Sequence, residues 1–124
     1  CWWFRRRWSR RELVAEIKMN RLDQLLAFHL EDPNDSFIRF ALAAEYRKLG
    51  QLEKALKSFE DLMAKDPDYV GLYFHLGKTL EATLQVDRAK EIYREGIRRA
   101  GILRDFHARA ELQSALLEAE GFDE

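Results

Sequence analysis

Three histidines, one cysteine and 22 carboxylates carry the side-chain chemistry from which a metal site or an acid–base pair could be built in this 124-residue sequence. Convergence on one ion needs ligands at short helical or hairpin spacing. His29, His75 and His107 fall in three different helical patterns, and no such spacing links them. His75 adjoins the apolar Leu76 and reads as a partly buried structural histidine. No glycine-rich phosphate loop follows a strand pattern, and no nucleophile motif is present. The carboxylates alternate with cations at helix-surface spacing, as Glu91 does with Arg94, which is the pattern of solvated helix faces. These residues argue against an enzyme and against a bound metal or cofactor. Cys1 has no second cysteine for an internal disulfide, so packing must supply the stability.

The elements that carry these residues read as one globular domain, with 47% hydrophobic and 35% charged residues. No run reaches the roughly 18 apolar residues of a membrane span, and the first residues are too charged for the apolar centre of a secretory signal. A cytoplasmic location is expected. The net charge of −1 conceals a division at Met19. Residues 1–18 hold six basic and two acidic side chains, a balance of +4; the remainder holds 15 and 20, a balance of −5.

Helix-forming sequence is interrupted at Asp32-Pro33 and at Asp66-Pro67, 34 residues apart. Proline lacks an amide hydrogen and pushes the residue before it out of helical conformation, so each pair ends a helix. Asp35, Ser36 and Asp68 follow as expected N-caps for the next helices. The same shift lays Phe40 on Phe74, Leu42 on Leu76, Ala43 on Gly77, Tyr46 on Leu80, Ala55 on Ala89 and Phe59 on Tyr93. Each period holds two helical patterns, roughly 36–49 and 52–65, then 70–83 and 86–99. Gly50 separates the first pair, where a left-handed residue ends a helix. Leu84 takes that place in the second pair, at a cost of about 1–2 kcal/mol if it adopts the same conformation.

The segments RFALAAEYRKLGQLEKALKSFEDLMAKDP and YFHLGKTLEATLQVDRAKEIYREGI resemble tetratricopeptide repeats, whose signature is W-x2-L-G-x2-Y, then A-x3-F, then P. Leu42, Ala43, Tyr46, Ala55, Phe59 and Pro67 fit it in the first copy; Tyr73, Leu76, Gly77, Ala89 and Tyr93 fit it in the second. Small residues let the two helices of a repeat cross closely, and the aromatics fill the space beside them. Arg39, Gly96 and Gly101 depart from the pattern. Past Gly101 the stride becomes 36, taking Leu76 to Leu112 and Leu80 to Leu116. Upstream, RLDQLLAFHLEDP matches the back helix of a repeat, with Leu25 on Phe59, Phe28 on Leu62 and Arg21 in the place of the small residue. The resemblance implies an all-α fold, an α-solenoid of antiparallel helix hairpins forming a fragment of a right-handed superhelix. Its parts would be a basic, aromatic extension over 1–18 and a repeat domain over 19–124. That domain divides into a half repeat at 20–33, repeats at 36–67 and 70–101, and a capping helix at 105–119.

Members of this family generally hold peptides or partner helices on the concave face lined by their front helices. On the first front helix Phe37, Phe40, Ala44, Arg47 and Lys48 form a stripe distinct from Leu42, Ala43 and Tyr46. Phe74, Lys78 and Glu81 match that stripe in the second repeat. These eight residues are the candidate groove, an aromatic floor edged by Arg47, Lys48 and Lys78 and suited to an apolar or amphipathic segment that carries some acidic groups. In the competing reading Phe40 and Phe74 are buried by neighbouring helices or by the N-terminal segment. The family's chaperone-binding members hold a C-terminal carboxylate with a lysine and asparagines; Phe40 and Ala44 occupy two of those places, so that clamp is absent. A groove of two repeats implies micromolar affinity, about −8 kcal/mol. The expected function is an adaptor for a protein or peptide partner. The alternative is a structural module that self-associates into a homo-oligomer, and light scattering separates the two.

The opening CWWFRRRWSRR interleaves arginines with Trp2, Trp3, Phe4 and Trp8, a pattern able to contact nucleic acid or an anionic membrane. Ser9 and Glu12 have capping-box spacing, and Leu13, Ile17, Leu22 and Leu25 continue a helical stripe. From Met19 onward, MNRLDQLLAFHLEDPND resembles the start of small stand-alone bacterial tetratricopeptide proteins, which implies that residues 1–18 precede the native start. Docking of the tryptophans on the array ranks second, and nucleic-acid or membrane contact last. Bulky Trp2 argues against a lipid-modified Cys1.

Overall fold

The computed structural model describes residues 20–121; the basic extension, with its capping-box residues Ser9 and Glu12, lies outside them. Among the described residues there are six helices and no strand: α1 (Arg21–Glu31), α2 (Ser36–Lys48), α3 (Leu52–Lys65), α4 (Gly71–Ala82), α5 (Val86–Leu103) and α6 (Phe106–Ala119).

Local chemistry sets most of these boundaries. Asn20, Asp35 and Asp105 cap α1, α2 and α6, their side-chain oxygens accepting from the amides of Asp23 at 2.8 Å, Ile38 at 3.2 Å and Ala108 at 3.1 Å. Ser36, expected as a cap, is instead the first residue of α2, and its hydroxyl donates to the Asp66 carboxylate at 2.7 Å. Asp68 does not cap either. The amides of Leu72 and Tyr73 donate to the carbonyls of Tyr69 and Val70 in tight turns, which leaves the Asp68 carboxylate free to accept from Arg99 at 2.8 Å. Arg99 also reaches Glu95, and bonds from Arg98 and Arg99 hold that carboxyl down at about 2.

Gly50 ends the α2 turn at φ 79°, and Leu84 adopts the same left-handed conformation at φ 64°. Leu84 is 89% exposed, so exchanging it for glycine sacrifices no packing. Leu84→Gly is expected to raise unfolding stability by about 1 kcal/mol, while Leu84→Ala, which keeps the Cβ, leaves it near the parent value. Denaturant titration of the three proteins checks this. Helix α5 reads through Gly101 and stops only at Arg104, at φ 61°. Its 18 residues against 14 in α3 place the longer stride in this helix.

α2 packs on α3, α4 on α5, and α5 on α6, while α2 touches α4 and α4 touches α6. The helices α2, α4 and α6 thus form an inner row with α1, α3 and α5 behind it, the arrangement of a helical solenoid. Ala43, Ala55, Phe59, Leu76, Ala89 and Tyr93 are fully buried at the crossings. A Cβ on Gly77 would lie 2.1 Å from Cε1 of Tyr93. Gly96 departs from the expected alanine for a similar reason: a Cβ there would meet Tyr73 Cβ at 2.6 Å and Leu112 Cδ1 at 2.9 Å. At the other end Leu25 is buried, whereas Phe28, matched to the buried Leu62, is 45% exposed. Arg21 leans on the buried Glu45 at 3.7 Å. Among the described residues no helix is long and apolar enough to cross a membrane.

Candidate functional site: the face of the inner helices

The inner row presents matching positions at each step: Phe40, Phe74 and Ala110 in one line, and Ala44, Lys78 and Ser114 in the next. Phe40 and Phe74 are both half-buried, joined through His75, whose ring centroid lies 5.1 Å from Phe40 and 5.5 Å from Phe74. Phe40 also meets Phe59 at 6.0 Å and Tyr69 at 5.4 Å. The aromatic floor is therefore Phe40–His75–Phe74, continuous with the core, and Phe37 stands off it at 67% exposure on the first turn of α2. Beside Phe74 the gap between α4 and α6 forms a depression of about 430 Å³, lined by apolar Phe74, Ala110 and Ala115 and by charged Lys78, Glu111 and Glu118.

The charges around this floor are not equivalent. Lys78 Nζ lies 3.8 Å from Glu81, 3.5 Å from Glu118 and 5.6 Å from the centroid of Phe74, so its charge is largely answered within the protein. Glu81 also accepts from the hydroxyl of Tyr93; burial first and this bond second push the phenol upward. Lys78 and Glu81 thus brace α4 against α5 and α6. Half-buried Arg47 and exposed Lys48 make no ion pair among the described residues, so the available positive charge collects at the end of α2 while Glu111 and Glu118 line α6. Ala44, half-buried, keeps the strip between α2 and α4 shallow.

Several of these residues lie outside the stripe that the two repeats mark in the sequence. Ala110 and Ser114 follow from the 36-residue stride applied to Phe74 and Lys78, and Glu111 and Glu118 from the same stride applied to His75 and Ala82. The partial burial of His75 is legible from its place beside Leu76 and is what the structure shows, whereas its position between the rings of Phe40 and Phe74 depends on how α2 and α4 lie together. Burial first, and the charge of Arg47 second, hold the His75 imidazole below its ordinary value of 6.5, with Glu111 opposing. The unfolded chain therefore takes up a proton before the native one does. This contribution to stability is complete above about pH 6.5 and declines as pH falls towards the native value. Thermal melts between about pH 7.5 and 5.5 should show the midpoint falling with acid, and His75→Phe should flatten that slope. Among the described residues no three histidine, cysteine or carboxylate side chains converge as metal ligands.

A family model described as TPR repeat matches residues 43–83. No curated protein sequence is significantly similar to the chain. Among solved structures, the solution structure of a tetratricopeptide repeat domain protein from Salinibacter ruber is 46% identical, with a TM-score of 0.70 over 73% of this chain and 91% of that one. A protein from Bordetella parapertussis is 25% identical, with a TM-score of 0.74 over 85% and 91%. PcrH, solved in complex with the chaperone binding region of PopD, is 18% identical and shares the fold, with a TM-score of 0.74 over 83% and 78%. Closely crossed helices at Ala43 and Gly77, their aromatic partners one helix later and 46% identity across nearly all of the Salinibacter domain place this chain in the tetratricopeptide repeat family.

Proposed function

We propose that the protein is a protein-interaction scaffold that holds an apolar segment of a partner, as a peptide or a short helix, across α2, α4 and α6. The observation that carries this reading is the depression beside Phe74, apolar at Phe74, Ala110 and Ala115 and edged by Lys78, Glu111 and Glu118. A segment seated there would set small apolar side chains into the gap, an acidic group towards Arg47 and Lys48, and a neutral or basic one towards Glu111 and Glu118. That the fold relative PcrH was solved with a segment of PopD supports a tetratricopeptide array of this size as a holder of protein segments.

Selection of a random displayed-peptide library on the immobilised protein tests the reading. Enriched peptides should combine apolar residues with an acidic one and bind with a dissociation constant in the micromolar range. Filling the depression with Ala110→Trp, at an exposed position, should weaken them at least about tenfold, or 1.4 kcal/mol. Lys48→Glu should weaken the acidic peptides selectively. Peptides indifferent to both substitutions would place binding elsewhere and end the groove reading.

A further inference from the structure

The exposed faces of α1 have no explanation within residues 20–121. Helix α1 ends at Glu31, in stride with Lys65 of α3, and its Leu25 is buried like Phe59 and Tyr93. Phe28 corresponds to Leu62 and Gly96, both buried because a back helix is enclosed by the front helix before it and the front helix after it. Gly96 shows the arrangement, facing Tyr73 of the preceding helix and Leu112 of the following one. Among the described residues α1 packs chiefly on the helix that follows it, and Phe28 is 45% exposed. Its outer side differs as well. Leu26 and Leu30 stand where α3 has Glu60 and Ala64 and α5 has Arg94 and Arg98, and they are 37% and 82% exposed. A helix that met only water there would be charged, as α5 is.

We propose that residues 1–18 of the same chain cover this face of α1. Three properties of the segment fit it. One stride of 34 back from Leu42-Ala43 falls on Trp8-Ser9, a large apolar residue followed by a small one, as in Leu76-Gly77. The segment carries +4 against −5 for the remainder, and α1 with its C-cap carries Asp23, Glu31 and Asp32 against Arg21. It also joins α1 directly through Met19 and Asn20, so it meets this face at an effective concentration of about millimolar, far above what a second copy supplies at ordinary protein concentrations. The segment would complete the array at this end and remove an apolar surface through which copies would otherwise associate.

All three tryptophans, Trp2, Trp3 and Trp8, lie within residues 1–18, so tryptophan emission reports on this segment alone. The expected result is a native emission at the short wavelengths of buried indole, unchanged on dilution while light scattering shows a monomer. Phe28→Glu and Leu30→Glu should each shift it to longer wavelength and raise quenching by acrylamide, with helicity by circular dichroism retained. Leu30 is so exposed that its replacement leaves the array's packing intact, and this variant decides the matter if Phe28→Glu fails to fold. Emission of water-exposed indole in the native chain overturns the proposal, as does buried emission indifferent to Leu30→Glu. Buried emission lost on dilution together with a dimer also overturns it, assigning the face to a second copy.

Discussion

Phe59→Ala is expected to remove about 3–5 kcal/mol of stability, the range for truncating a fully buried aromatic side chain. The ring of Phe59 lies 6.0 Å from Phe40 and stacks on His75 at 6.4 Å, so it joins α3 to both α2 and α4. Its loss opens a cavity where one hairpin meets the next. A domain is held by only about 5–15 kcal/mol in all, and an array whose single cysteine can close no internal disulfide belongs towards the lower figure. The variant should melt many degrees below the parent. A thermal midpoint lowered by merely a degree or two would refute the assignment of Phe59 to the joint.

The opposite change one repeat later should be as damaging. Gly77→Ala puts a methyl group 2.1 Å from a ring carbon of Tyr93, which is fully buried and tethered through its hydroxyl to Glu81, so the ring cannot swing aside. A cost of at least about 3 kcal/mol, at the upper end for an over-packed core, is expected in denaturant titration. Adding Tyr93→Phe releases the tether and should recover part of the loss; the first repeat already combines Ala43 with Phe59 at these positions. Strictly additive effects of the two substitutions would show that the clash is relieved elsewhere. Gly50→Ala is the control, since nothing lies within 4 Å of its would-be Cβ and only the left-handed backbone penalty of about 1 kcal/mol applies.

The all-α architecture could be read in the sequence because each repeat writes the same instruction twice, and a shift of 34 makes the small and aromatic positions coincide. The left-handed turn at Leu84 was legible for the same reason, by analogy with Gly50. Contacts between side chains distant in sequence were not. Lys78 reads as a free cation until α6 brings Glu118 to it, and Asp68 reads as a cap until Arg99, 31 residues on, claims its carboxylate. Gly96 reads as a departure from the repeat pattern and proves to lie against Tyr73 and Leu112, where a Cβ would not fit. In each case the local pattern has two solutions, and packing between helices selects one.

Two polar ties have a mechanical consequence. Ser36 with Asp66 fastens the open end of the α2–α3 pair, and Asp68 with Arg99 does the same for α4–α5. Each pair should therefore behave as a stiff plate, with compliance concentrated in the short strip 66–70 between them. Cutting either tie should make that plate splay under load.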